Sequence, residues 1–194
     1  MSGRRSRPAD APLFEWGDAL RAARNRRRNL RRWGAAFAVG AVVMGLSAAF
    51  PPAPRLVWNV SASVPLGLYS VAPGAEIAPG DMVVARLPEP YRMLAATRRY
   101  LPVHVPLVKH VAAAAGDEVC ALRSNIFVNG IRVAMRRIVD AEGRAMPSWQ
   151  GCVRLSGRQL FLLIADNPAS FDGRYFGVTQ GSDVIGKARL LWAR

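Results

Sequence analysis

The sequence predicts a mostly β chain in which an antiparallel β domain is carried on one N-terminal membrane-spanning helix. Three observations predict it. A charge-free run, WGAAFAVGAVVMGLSAAF at residues 33–50, directly follows the arginine-rich stretch RNRRRNLRR. From Pro51 onward the chain reads as short β-rich runs divided by turn residues, with little sustained helical periodicity. Within that part, IFVNGIRVAM sets Asn129-Gly130 between two such runs, a pairing that suits a type I′ hairpin turn.

The first element is a basic tail, residues 1–32. It holds 10 of the 27 basic residues and 3 of the 13 acidic ones, so it contributes +7 of the net +14. A charge concentrated this way argues against a nucleic-acid-binding fold, in which basic side chains cover one face of the domain. Asp10 can cap a helix on which Leu13, Trp16, Leu20 and Ala23 share a face, so residues 11–32 are expected either to lie along an anionic membrane surface or to stay disordered.

The second element is the anchor, residues 33–50. As a helix it spans about 27 Å, within the usual range for crossing a bilayer. Arginine on one flank sets the orientation: N-terminus in the cytoplasm, everything after the anchor on the far side. A cleaved signal peptide is the competing reading, and the length of the apolar run, with a basic region starting far from Met1, favours an anchor that is kept. Localisation to a bacterial inner membrane, single-pass with a periplasmic domain, is the expectation, with membrane lipid as a partner.

The third element is the domain, residues 51–194. Its expected strands include Glu118–Leu122, Gln159–Ile164 and Gly186–Trp192, and its one short helix is Glu89–Tyr100. Cys120 and Cys152 are the chain's two cysteines, and with only His104 and His110 as histidines they match no zinc pattern. In an oxidising compartment they can pair, closing a loop worth about 3 to 4 kcal/mol on a chain-entropy reckoning. No metal or cofactor is called for.

Two features bear on chemistry. NVSASVPLGLYS, residues 59–70, places Ser61 and Ser63 one residue apart just beyond the anchor; on an extended strand both hydroxyls would project from one face, with Ala62 and Val64 on the other. Lysine is scarce: 25 of the 27 basic residues are arginine, leaving Lys109 and Lys187. Lysine loses its proton when buried and arginine does not. Lys109 lies in the apolar run VPLVKHVAAAAG, where a neutral amine is tolerable and an ammonium costly. A serine activated by neutral lysine is one arrangement; Ser/His/Asp with His110 as base is another. Adjacent strand residues face opposite sides, so Lys109 and His110 cannot both serve one serine, and the residues alone leave the choice open.

Four segments, in order, resemble the type I signal peptidases with a serine/lysine dyad, and within them the TraF-type conjugative transfer peptidases. S-x-P-x-G-x-Y at Ser63–Tyr69 is similar to the nucleophile segment, and PLVKHVAAAAGDEVC at Pro106–Cys120 to the lysine segment. FVNG at Phe127–Gly130 and SFDGRYFG at Ser170–Gly177, followed by GKA, resemble the later blocks. The resemblance covers about residues 55–193 and implies an antiparallel β fold. It also implies Ser63 as nucleophile, Lys109 as general base, Ser61 with the Ser63 amide as oxyanion donors, and Ser170 as the hydroxyl that orients the lysine. Asp172 and Arg174 match a supporting charged pair, the aspartate having also been given a catalytic role in transfer peptidases.

Val64 departs from the methionine common after the nucleophile, and Pro65 comes one residue sooner than in housekeeping enzymes. The block ADNPASFDGRYFG lacks their opening glycine and arginine and is one residue shorter. Both departures favour pilin-precursor maturation, with or without cyclisation, over general signal peptide removal. The contrasting class is a non-enzymatic component of a conjugation or secretion assembly.

Overall fold

The computed structural model describes residues 11–49, 53–61 and 63–194. The expected cap Asp10, the anchor's last residue Phe50, and Ala62 between the two serines lie outside them. The chain divides into two units, Met1–Pro52 and Ala53–Arg194.

The first unit is a single helix, α1, Ala11–Ala49. This corrects the expectation of a separate surface helix or a disordered tail ahead of the anchor. The helix runs through residue 32 without a break because Arg, Ala and Leu between the two segments are good helix formers and no proline follows Pro12 until Pro51. At 1.5 Å per residue its 39 residues extend about 58 Å. Its Ala19–Ala49 portion is long and apolar enough to cross a membrane.

The second unit is built from antiparallel sheets, as the alternation of residues predicts. The strands are β1 Leu56–Asn59, β2 Gly67–Ala72, β3 Met82–Ala85, β4 Leu107–Ala113, β5 Glu118–Leu122, β6 Asn125–Val128, β7 Ile131–Met135, β8 Gly151–Arg154, β9 Phe161–Leu163 and β10 Val184–Ala193. One sheet has the order β1-β2-β10-β3-β4-β9 and the other β7-β6-β5-β8. Helix α2, Glu89–Thr97, ends three residues earlier than expected, and a four-residue turn of helix, α3 Gly173–Phe176, lies inside the SFDGRYFG segment.

Period-two alternation sends side chains of one strand to opposite faces of the larger sheet. Val83 and Ala85 of β3 join Leu107, Val111, Leu162 and Phe176 in one cluster, while Val84 joins Tyr69, Val71, Val108 and Ala188 in another. Phe161 and Leu163 of β9 pack with Val119, Ala121 and Ile126, which fastens the smaller sheet to the larger. Asn129 and Gly130 both have positive φ, 49° and 79°, so the β6–β7 hairpin turns as its sequence predicts. In β5 and β8 the cysteines are direct register partners, and a disulfide joins Cys120 to Cys152.

Candidate active site

The serine pair is held by a clamp rather than by a strand. β1 ends at Asn59, and residues 63–66 turn ahead of β2. The buried Asn59 amide donates to the carbonyls of Ser61 at 2.9 Å, Pro65 at 3.1 Å and Val64 at 3.3 Å, and its Oδ1 accepts the Ser61 N–H at 3.1 Å. Tyr69, fully buried, donates its hydroxyl to the same Pro65 carbonyl at 2.8 Å. Turn carbonyls that no sheet can satisfy are therefore paired by two side chains.

The result brings Ser61 Oγ and Ser63 Oγ to 3.0 Å, with the Ser63 N–H 3.4 Å from Ser61 Oγ. Extended-strand geometry is thus corrected to a turn, although the two hydroxyls do lie together. Val64 is buried with Tyr69 and Val71, pinning the turn from below.

Gly67 closes the turn at φ 151°, and an ideal Cβ there would lie 2.0 Å from the carbonyl oxygen of Trp192. Only glycine lets β10 approach this closely.

Lys109 sits on β4 opposite Val83, on the face that also carries Leu107 and Val111. It is 3 % exposed, and its amine donates to Ser170 Oγ at 2.8 Å. Burial pushes its pKa down from the ordinary 10.5 to about 8; the Asp172 carboxylate pulls the other way and the Arg174 guanidinium adds to the fall. The next residue, His110, is exposed, as alternation along the strand requires. Lys187 is a surface residue paired with Asp81 at 2.7 Å. Of the two lysines and His110, Lys109 alone reaches the cavity described below.

Asp172 and Arg174 are both buried and form an ion pair at 2.8 Å. Asp172 also caps α3 through the Arg174 N–H and accepts the Ile164 N–H at 3.1 Å, while Arg174 donates to the Ile164 carbonyl at 2.6 Å and the Met135 carbonyl at 3.3 Å. These bonds tie the segment bearing Ser170 to the ends of β9 and β7. The lysine's partner hydroxyl is thereby placed by a fully satisfied buried network.

Ser61, Ser63 and Lys109 open onto one cavity of about 690 Å³, walled also by Asn59, Phe171 and Tyr175. No hydrogen bond joins Ser63 to Lys109 in this geometry; the lysine amine is engaged by Ser170 and the serine hydroxyl by Ser61. Glu118 lies beside Cys120 and Cys152, but the disulfide consumes both thiols and leaves no thiolate to ligate a metal.

Asn59 is the candidate-site residue that sequence reasoning missed. Its signal was an amide side chain at the end of a β-rich run immediately before the serines, where turn carbonyls need a donor.

The family profile described as signal peptidase, peptidase S26, matches residues 30–193. This chain belongs to the peptidase S26 signal peptidase family. It is 32 % identical over 146 residues to a plasmid transfer protein TraF of Escherichia coli, covering 69 % of this chain and 82 % of that protein. Conjugal transfer protein TraF of Agrobacterium fabrum is 32 % identical over 163 residues, covering 79 % and 88 %. A crystal structure of a signal peptidase I from Enterococcus faecalis aligns with TM-score 0.34 and 16 % identity over 58 % of this chain and 97 % of that one. As a peptidase S26 member, the chain has a signal-peptidase-like role.

Proposed function

We propose that this protein is a membrane-anchored serine endopeptidase that matures a pilin precursor through a Ser63/Lys109 dyad. The observation that carries the reading is the convergence, on one cavity, of a clamped serine pair and a buried lysine with a pKa near 8. A lysine with that pKa is neutral in about a tenth of molecules at pH 7, enough to act as a general base. Neutral Lys109 takes the proton from Ser63 Oγ as that oxygen bonds to the scissile carbonyl carbon. The same amine then hands the proton to the departing nitrogen, leaving an ester on Ser63. Water, or an amine of the substrate itself, opens the ester and gives a linear or a cyclic product.

Ser61 and the Ser63 amide would serve the oxyanion. Each now spends its hydrogen-bonding capacity within the serine pair, so substrate entry must redirect them toward the carbonyl oxygen. Ser170 holds the lysine amine, and Asp172 with Arg174 holds Ser170's segment. The transfer proteins among the relatives support a substrate from the conjugation apparatus over bulk secretory proteins. The arginine flank of the apolar helix supports an orientation with the tail in the cytoplasm and the peptidase unit outside the inner membrane.

The test is mass spectrometry of a pilin precursor incubated with the full chain in detergent. Cleavage after a small residue by wild type, abolished in Ser63→Ala and Lys109→Ala, supports the dyad. Undiminished maturation by either variant overturns it.

A further inference from the structure

The cavity is chemically lopsided. Besides the serines and Lys109, the residues lining it include four arginines, Arg98, Arg99, Arg137 and Arg144, and two acidic residues, Asp140 and Glu142. Arg144 binds both carboxylates, Asp140 at 2.6 Å and Glu142 in a close contact. Arg98 donates to the Ala145 carbonyl at 2.7 Å. Arg99 and Arg137 have exposed side chains and, among the described residues, no carboxylate partner.

Both of them line the cavity. Arg137 is placed by its N–H, which donates to the hydroxyl of Tyr175, itself part of the wall. Arg99 follows the last turn of α2 with φ 58°, the left-handed position where helices usually end in glycine. A bulky cationic residue stands there instead, and it lines the cavity.

We propose that the Arg99 and Arg137 guanidiniums form an acidic-residue subsite, so that the preferred substrate carries a glutamate or aspartate at a fixed distance from the bond attacked by Ser63. Arginine is suited to this because its planar guanidinium can bind a carboxylate through two parallel N–H donors in a fixed geometry. The inference rests on the endopeptidase reading and names the substrate class of the same site.

The experiment uses the full chain in detergent micelles with internally quenched peptides containing an Ala-Xaa-Ala cleavage site. A single glutamate is walked from five residues before the cleaved bond to five after it, each peptide paired with its glutamine counterpart. Expected is one position at which glutamate raises kcat/KM about tenfold over glutamine, with the advantage shrinking as salt rises. In Arg99→Gly with Arg137→Gln the advantage falls below about twofold, while the glutamine peptide is cleaved at the wild-type rate. Arg99→Gly alone suits its backbone and should not lower Tm, so lost preference with unchanged Tm separates recognition from misfolding.

Cleavage with equal rates for glutamate and glutamine at every position overturns the subsite and leaves the peptidase standing. No cleavage of any peptide by wild type overturns the peptidase reading as well. A rate that rises with phosphatidylglycerol in vesicles and falls in the double variant, without any peptide charge preference, assigns the arginines to lipid and overturns the proposal.

Discussion

Lys109 is held at an energetic disadvantage in its protonated form. Its folded pKa of about 8 lies below the ordinary 10.5, so between those values the unfolded chain binds more protons and stability rises with pH. Below pH 8 the full penalty, about 3 kcal/mol at 1.36 kcal/mol per pH unit, bears on the folded state. Lys109→Met should therefore abolish cleavage and yet raise Tm at pH 7, with the gain vanishing toward pH 10.5; differential scanning of the full chain in detergent reads it. In the proposed dyad the same proton governs the reaction. Wild-type kcat/KM should climb about tenfold per pH unit below 8 and level off above it, because only the neutral amine accepts a proton.

Asn59 holds the serine turn through its side-chain amide. Removing its amide leaves the carbonyls of Ser61 and Val64 short of a donor, a loss of about 1 to 3 kcal/mol. Asn59→Ala should lower kcat by at least about tenfold with the pH midpoint unmoved, since the pKa of Lys109 is set elsewhere. A shift of that midpoint would show that the clamp also sets the lysine's surroundings.

Among the elements, the end of β10 and the start of β2 are the most tightly constrained. A methyl group at Gly67 meets the Trp192 carbonyl, and β10 cannot retreat without losing its pairing to both β2 and β3. Gly67→Ala should cost about 2 to 4 kcal/mol and depress cleavage through the serine turn it closes; denaturant midpoints and peptide assays together measure it. Legibility followed the same boundary. The β6–β7 hairpin was visible in Asn129-Gly130 because a type I′ turn needs positive φ at adjacent residues, a local demand. The residues at the serines do not by themselves separate a turn from an extended strand, because the geometry is imposed by Asn59 and Tyr69, whose partners come together only in the folded domain.

Across the whole molecule, the smaller sheet is stapled by Cys120–Cys152 and packed on the larger through Phe161 and Leu163. Opening the 32-residue separation by reduction should lower stability by about 3 to 4 kcal/mol and leave the pH midpoint of cleavage in place. Melting curves with and without a reductant, alongside the pH profile, test both halves of that statement.

The β6–β7 hairpin, the strands β5, β9 and β10 and the apolar helix could be read from the chain, since periodicity and turn chemistry are written in neighbouring residues, whereas Ser170, Asp172 and Arg174 were pointed to by the family resemblance alone. The uninterrupted course of α1 could have been read as well, because nothing between residues 13 and 50 stops a helix. The choice between Lys109 and His110 could not. It required β4 to be seated on Val83, which buries one side chain and exposes the next. The meeting of Lys109 with Ser170 across 61 residues, and the depressed pKa that follows from burial, arise from non-local packing that no short stretch of sequence encodes.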